Sequence, residues 1–289
     1  KKIKPFMSFG KMPIANGFLN KKNFNNEFYF NMEVGFSSSI SLFQLNDHPA
    51  PKLMFNNNYP FFTSSSKYMV KHFKKYSSWI KKNYYNNVKN IIEIGSNDGS
   101  FLKNFKSKKT NILGIEPSKN VADIANKKKI KTINKFFNFN TTKILKKYHK
   151  KTDIIIAANA ICHIPDLKDL IKGIDNLLTS KGLFIFEEPY LGSMYKKTSY
   201  DQIYDEHIFM FSVSSIMKIF KLYNFDLINV VPQKTHGGSM RYVIGRSGEH
   251  NISKNVFKFL VQEKQKKINS IKGCLRFKKK CEISKKKLR

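Results

Sequence analysis

Cysteine is scarce in this 289-residue chain: Cys162, Cys274 and Cys281 are the only three, and no paired motif joins them. That excludes a disulfide-held scaffold and makes a reducing, cytoplasmic compartment the expectation. Acidic residues are also few, 20 against 53 basic ones, which leaves a formal charge of +33. Arginine is nearly absent from that excess, with only Arg241, Arg246, Arg276 and Arg289. No apolar run approaches the ~18 residues of a membrane helix, and no short apolar segment at the start reads as a signal peptide, so no membrane association is expected. The chain is rich instead in Lys, Asn, Ile and Phe, the residues that an AT-rich coding sequence favours. At 41% hydrophobic and 14% aromatic it has ample material for a core, which excludes wholesale disorder. A charge of +33 invites a nucleic-acid reading. Such surfaces favour Arg, whose planar fork grips phosphate and base edges, and no RNP-like motif is present. The charge therefore reads as coding bias, and a nucleic-acid partner is not expected.

Residues 1–65 read as an irregular, strand-rich module, with Asn and Ser clusters separating short aromatic runs. Met69, Val70, Phe73, Tyr76, Trp79 and Ile80 then recur at helical spacing. Four short apolar runs follow, Ile91–Ile94, Ile112–Ile115, Asp153–Ile156 and Leu183–Phe186, each before a helix-like segment. This alternation predicts a doubly wound α/β core with a mostly parallel sheet. Leu227–Val231 and Met240–Ile244 lack a helix between them, which suits an antiparallel edge. Residues 251–289 form a lysine-rich helical pattern. With a first residue that is not Met and a tail without a closing element, the chain is expected to be truncated at both ends. The expected organisation is thus 1–65, 66–250 and 251–289.

In a doubly wound sheet, ligands bind at the carboxyl ends of the strands. The first core strand ends in Glu93-Ile94-Gly95-Ser96-Asn97-Asp98-Gly99. Gly95 and Gly99 permit a tight turn and close backbone approach. The spacing differs from both nucleotide-phosphate fingerprints, and Glu93 would repel phosphate, so a cationic or zwitterionic ligand fits better. The second strand ends in Gly114-Ile115-Glu116-Pro117, where a carboxylate suits a ribose diol. Together they suggest S-adenosylmethionine, with NAD the lesser option.

These two segments resemble the first two motifs of class I S-adenosylmethionine-dependent methyltransferases. The Ser-Asn-Asp form of the loop is similar to the sugar C-methyltransferase family, which acts on nucleotide-linked 4-keto-deoxyhexoses. So are Gly10–Asn16, Tyr59–Phe62, Asn159–Asp166, Tyr204–His207 and His236–Arg241. The resemblance implies a Rossmann-like, seven-stranded methyltransferase sheet with a small N-terminal module. It places Glu93, Gly95, Ser96, Asn97, Asp98, Gly99, Glu116, Pro117, Phe137 and Asn159 around S-adenosylmethionine.

Carbon methylation needs a carbon nucleophile, made by removing a proton next to a ketone, and imidazole is the base best matched to neutral pH. The resemblance makes His207 that base, with Tyr204, Glu206 and His163 positioning substrate or stabilising the enolate. Tyr59, Phe62, His236, Ser239 and Arg241 are the implied substrate contacts. The expected partner is a nucleotide-sugar, and the expected state a monomer.

The family usually starts with a zinc module of two Cys-x-x-Cys pairs. Aligned on Phe30–Phe36, Ser37 and Ile40 stand where the second pair belongs, and the first would precede Lys1. No metal site is therefore expected. Three other readings stay open: an O- or N-methyltransferase of another small molecule, a basic RNA-binding or RNA-modifying protein, and a degenerate non-catalytic remnant.

Overall fold

The computed structural model describes residues 3–288. Seven strands form one sheet in the order β10-β11-β8-β7-β4-β5-β6. They are β4 (Asn90–Ile94), β5 (Asn111–Ile115), β6 (Thr132–Ile133), β7 (Thr152–Ala158), β8 (Leu178–Pro189), β10 (Phe225–Gln233) and β11 (Ser239–Arg246). β4 pairs in parallel with β5 and β7, and β5 with β6. β10 and β11 run antiparallel, as the missing helix between them predicts. The sheet is therefore the mostly parallel, Rossmann-like arrangement expected from the alternating apolar runs. Each of those runs lies inside a strand, and Ile91, Ile92, Ile155 and Ile156 are wholly buried, as parallel strands covered on both faces must be.

The described chain separates into two compact units. One consists of residues 55–160 and 166–186. Its helix Lys67–Tyr84 starts where the Ser66 hydroxyl accepts the Met69 N–H at 3.3 Å, a Ser N-cap that satisfies an otherwise orphaned donor. The helix buries Phe73, Tyr76 and Ile80, and Phe73 and Tyr76 both stack on Phe101 at 4.8 and 4.7 Å.

The other unit comprises the residues up to Met54, then 161–165, then those from Glu187 onward. The aromatic-rich start forms a four-stranded antiparallel sheet, β1 (Pro5–Pro13), β2 (Tyr29–Ser37), β3 (Leu42–Leu45) and the two-residue β9 (Phe209–Met210). Its core gathers Phe6, Phe30, Val34 and Phe43 with Leu191, Tyr195 and Phe277. The Phe43 ring meets Phe6 at 5.4 Å and both Tyr195 and Phe277 at 6.3 Å, each edge to face. Phe277 lies on the helix Ile271–Leu288. At the turn where Ser37 and Ile40 stand in place of the family's second cysteine pair, the Ser37 and Ser39 hydroxyls are 3.1 Å apart. No helix of the described residues is long and apolar enough to cross a membrane.

Candidate active site

In the unit of residues 55–160 and 166–186, the registers Ile94↔Ile115 and Ile94↔Ala157 bring the ends of β4, β5 and β7 to one edge. Left-handed backbone gathers there, at Gly95 (φ 66°), Asn97 (φ 47°), Gly99 (φ 77°) and Asn159 (φ 51°). Gly95 has no room for more: a Cβ would lie 2.6 Å from that of Ala160. Its N–H and that of Ser96 donate to the Ile115 carbonyl at 2.9 and 3.1 Å.

The nearly buried Glu116 carboxylate accepts the Asn97 N–H on one oxygen and the Ser118 N–H on the other, both at 2.9 Å. Burial pushes its pKa up, against the pull of those two bonds. Asn134 donates to the Glu116 and Pro117 carbonyls and fixes that strand tip. Glu93 is buried, and one of its carboxyl oxygens has no partner among the described residues. Burial, with Glu116 and Asp98 nearby, raises its pKa well above the carboxylate range. The Phe137 ring lies against Gly173, where a Cβ would stand 2.9 Å from it.

The loop is also latched, which sequence reasoning missed. Asn97 accepts the Thr63 N–H at 2.8 Å and donates to the Phe61 carbonyl at 3.1 Å. Asp98, wholly buried, accepts the Ser64 N–H at 3.0 Å, the Ser100 N–H at 3.2 Å and Lys128 Nζ at 3.1 Å. Burial pulls the Asp98 pKa up, but these bonds outweigh it and hold the carboxyl below its ordinary range. The Tyr59–Phe62 stretch, expected to touch substrate, thus rests on the glycine loop. The Tyr59 ring is buried 5.4 Å from Phe55, and Phe62 is half-buried.

In the second unit, Tyr204 and His207 lie in one tight turn, closed by the His207 N–H on the Tyr204 carbonyl. His207 Nδ1 lies 2.9 Å from the Gln202 carbonyl. A carbonyl can only accept, so Nδ1 carries the hydrogen and Nε2 keeps the lone pair. Nε2 faces the Tyr204 hydroxyl at 3.1 Å. The His163 ring stacks on that of His207, centroids 5.3 Å apart. Burial brings the His207 pKa down to about 4 and that of His163 well below its usual value, so both imidazoles are neutral at pH 7.

The Gln202 carbonyl orients the His207 imidazole. The Glu206 carboxylate accepts Asn16 Nδ2 at 2.6 Å, while Asp205 accepts the Ala15 N–H at 3.1 Å. Arg241 is buried and its guanidinium pairs with Glu187 at 2.8 Å, and Thr235 donates to the same carboxylate at 2.9 Å. Ser239, also buried, donates to the Thr235 carbonyl at 3.1 Å. His236 is exposed in a left-handed turn, and its imidazole adds to the depression of His163 and His207 that burial dominates.

Glu187 and Glu188, at the end of β8, were missed although two carboxylates closing an apolar strand were visible in the sequence. Glu188 accepts the Ile161 N–H at 2.7 Å and faces the Cys162 thiol, whose pKa burial and that carboxylate raise.

Residues 69–230 match the methyltransferase-domain family, and residues 234–289 match the C-methyltransferase C-terminal domain. The C-methyltransferase NovU of Streptomyces niveus is 25% identical over 265 residues, 91% of this chain and 63% of that relative. The chain thus spans less than two thirds of the length of this curated relative. Among solved structures, an S-adenosylmethionine-dependent methyltransferase from Clostridium acetobutylicum ATCC 824 aligns with a TM-score of 0.48 at 14% identity, over 62% of this chain and 92% of that one. The PH0226 protein of Pyrococcus horikoshii OT3 aligns with a TM-score of 0.49 at 12% identity, over 65% and 95%. With more than half of its length matched by the first of these families, this chain belongs to the methyltransferase-domain family.

Proposed function

We propose that the protein is an S-adenosylmethionine-dependent C-methyltransferase of a nucleotide-linked keto-deoxysugar, with His207 as the general base. The observation that carries this reading is the His207 imidazole, buried and neutral, its lone pair assigned to Nε2 by the Gln202 carbonyl. A base must present its lone pair before the proton arrives, and a buried ring held in one tautomer does so without reorganising. As Nε2 takes the proton from the carbon beside the ketone, burial that disfavoured the imidazolium is offset by the developing enolate charge. The Tyr204 hydroxyl, 3.1 Å from Nε2, is placed to hold the base or to donate to the enolate oxygen.

The residues at the ends of β4 and β5 fit the cofactor. Gly95 and Gly99 adopt the left-handed backbone that lets a ligand approach, and the Glu116 carboxylate keeps lone pairs for ribose hydroxyls. The unpartnered oxygen of Glu93 suits the ammonium end of a methionine moiety. When bound, S-adenosylmethionine supplies an electrophilic methyl group.

The test uses the full chain with S-adenosylmethionine and nucleoside-diphosphate 4-keto-deoxyhexoses. The expected product carries its new methyl on carbon, and the acceptor exchanges the C–H next to the ketone with deuterated water. Parent-rate exchange in His207→Ala, or methyl found on oxygen or nitrogen, overturns the assignment.

A further inference from the structure

The residues around His207 have a second chemistry. Cys162, His163 and His207 each offer a ligand atom, and these atoms all lie within 4.8 Å of one another. We propose that Cys162, His163 and His207 form a binding site for a borderline transition-metal ion, zinc(II) foremost, whose occupation silences the His207 imidazole. The inhibitory half rests on His207 being the base; the site itself does not.

Two imidazoles and one thiolate are a donor set that selects zinc over calcium or magnesium, which prefer oxygen. Tetrahedral zinc, with Zn–N and Zn–S bonds of about 2.1 and 2.3 Å, needs ligand separations of roughly 3.4–3.7 Å. The three groups therefore close by at most about 1.4 Å, within the reach of side-chain rotation. His207 is already arranged as a ligand: Nδ1–H donates to a backbone carbonyl at 2.9 Å, the outer-sphere contact that fixes a metal-binding tautomer, and its lone pair lies on Nε2, where a metal ion takes the place of the Tyr204 hydroxyl now 3.1 Å away. Both imidazoles are held neutral, the form that coordinates.

The remaining requirement is a thiolate. Glu188 faces the Cys162 thiol and is its built-in proton acceptor: the S–H bond breaks, the S–Zn bond forms, and the proton passes to the Glu188 carboxylate. Half-buried His163 offers access from solvent, whereas Cys162 and His207 are buried. Three protein ligands leave the fourth position to water. Once Nε2 is bound to metal, its lone pair is no longer available to a proton. None of this involves the Ser37–Ile40 turn, so the site is separate from the zinc module that the family resemblance implies.

The probe is cobalt(II) added to the full chain. A thiolate-to-cobalt charge-transfer band is expected in the near ultraviolet, displaced by zinc, lost in Cys162→Ser and retained in Cys274→Ser and Cys281→Ser. His163→Gln should keep the band but weaken cobalt binding by more than about tenfold. Absence of the band in the parent protein, its survival in Cys162→Ser, or its loss in Cys274→Ser or Cys281→Ser overturns the site. In the activity arm, zinc inhibits methyl transfer and a chelator restores it. Cys162→Ala should methylate at the parent rate yet need more than about tenfold more zinc for the same inhibition. A cobalt band with zinc-indifferent methyl transfer leaves the site standing and overturns its inhibitory role, and with it His207 as base.

Discussion

The glycine loop and the His207 turn solve the problem of presenting a reactive group in opposite ways. The loop is made of backbone: it spans residues 93–99, its shape is set by left-handed residues, and its neighbours in space are other strand ends. The His207 turn is made of side chains from distant segments, with Asn16 and His163 brought beside residues 202–207. A backbone site tolerates few changes in shape and many in chemistry; a side-chain site does the reverse.

The largest test of that contrast is His207→Ala. Removing the proposed general base should lower methyl transfer by about 10²–10⁴-fold, while calorimetry finds S-adenosylmethionine affinity unchanged. Equal loss of both would dissolve the distinction. Gly95→Ala is the converse. A Cβ there meets Ala160 at 2.6 Å on a φ of 66°, so thermal unfolding should show a loss of about 1–3 kcal/mol, and cofactor affinity should fall with it. Asn16→Ala comes next. It strips the 2.6 Å donor from Glu206, and a loss of about 1 kcal/mol should appear mainly in turnover rather than in cofactor affinity.

The smallest effect is expected at the latch. The Asp98 carboxyl is held below its ordinary pKa, so it stabilises the fold at pH values above the ordinary carboxylate range. That contribution disappears as pH falls through the depressed folded value. Lys128 is 43% exposed, so Lys128→Met should cost only about 0.2–1 kcal/mol. Melting curves recorded from neutral to acid pH should show the gap between parent and variant narrowing below about pH 4. A gap that widens toward acid would remove Asp98 as the partner of Lys128.

The same contrast explains what could be read from the sequence. Ile91–Ile94 and Ile112–Ile115 announced their strands because burial on both faces demands continuous apolar residues. Glycine spacing announced the loop because left-handed backbone restricts residue choice locally. β9 has only Phe209 and Met210, paired with β3 across more than 160 residues, and no local pattern could signal that. Thr63 and Ser64 gave no sign of resting on Asn97 and Asp98, since their backbone N–H groups carry no sequence identity. Tyr204 and His207 were legible as a pair through family resemblance; the Gln202 carbonyl that fixes the tautomer was not, because any residue supplies one. Arg241 illustrates what sequence does not show: its ion pair with Glu187 joins residues 54 apart, and no local pattern signals it.

The core that joins Phe43 to Phe277 has a consequence for the order of synthesis. On the ribosome, β1 to β3 emerge before the other described strands, carrying Phe6, Phe30 and Phe43, while the ring that closes their core arrives more than 230 residues later. At about 5–20 residues per second, that is a wait of roughly 10–50 s with aromatic surface uncovered. This sheet is thus among the last of the described elements to be completed, and its aromatic surface stays open to aggregation until Phe277 is made.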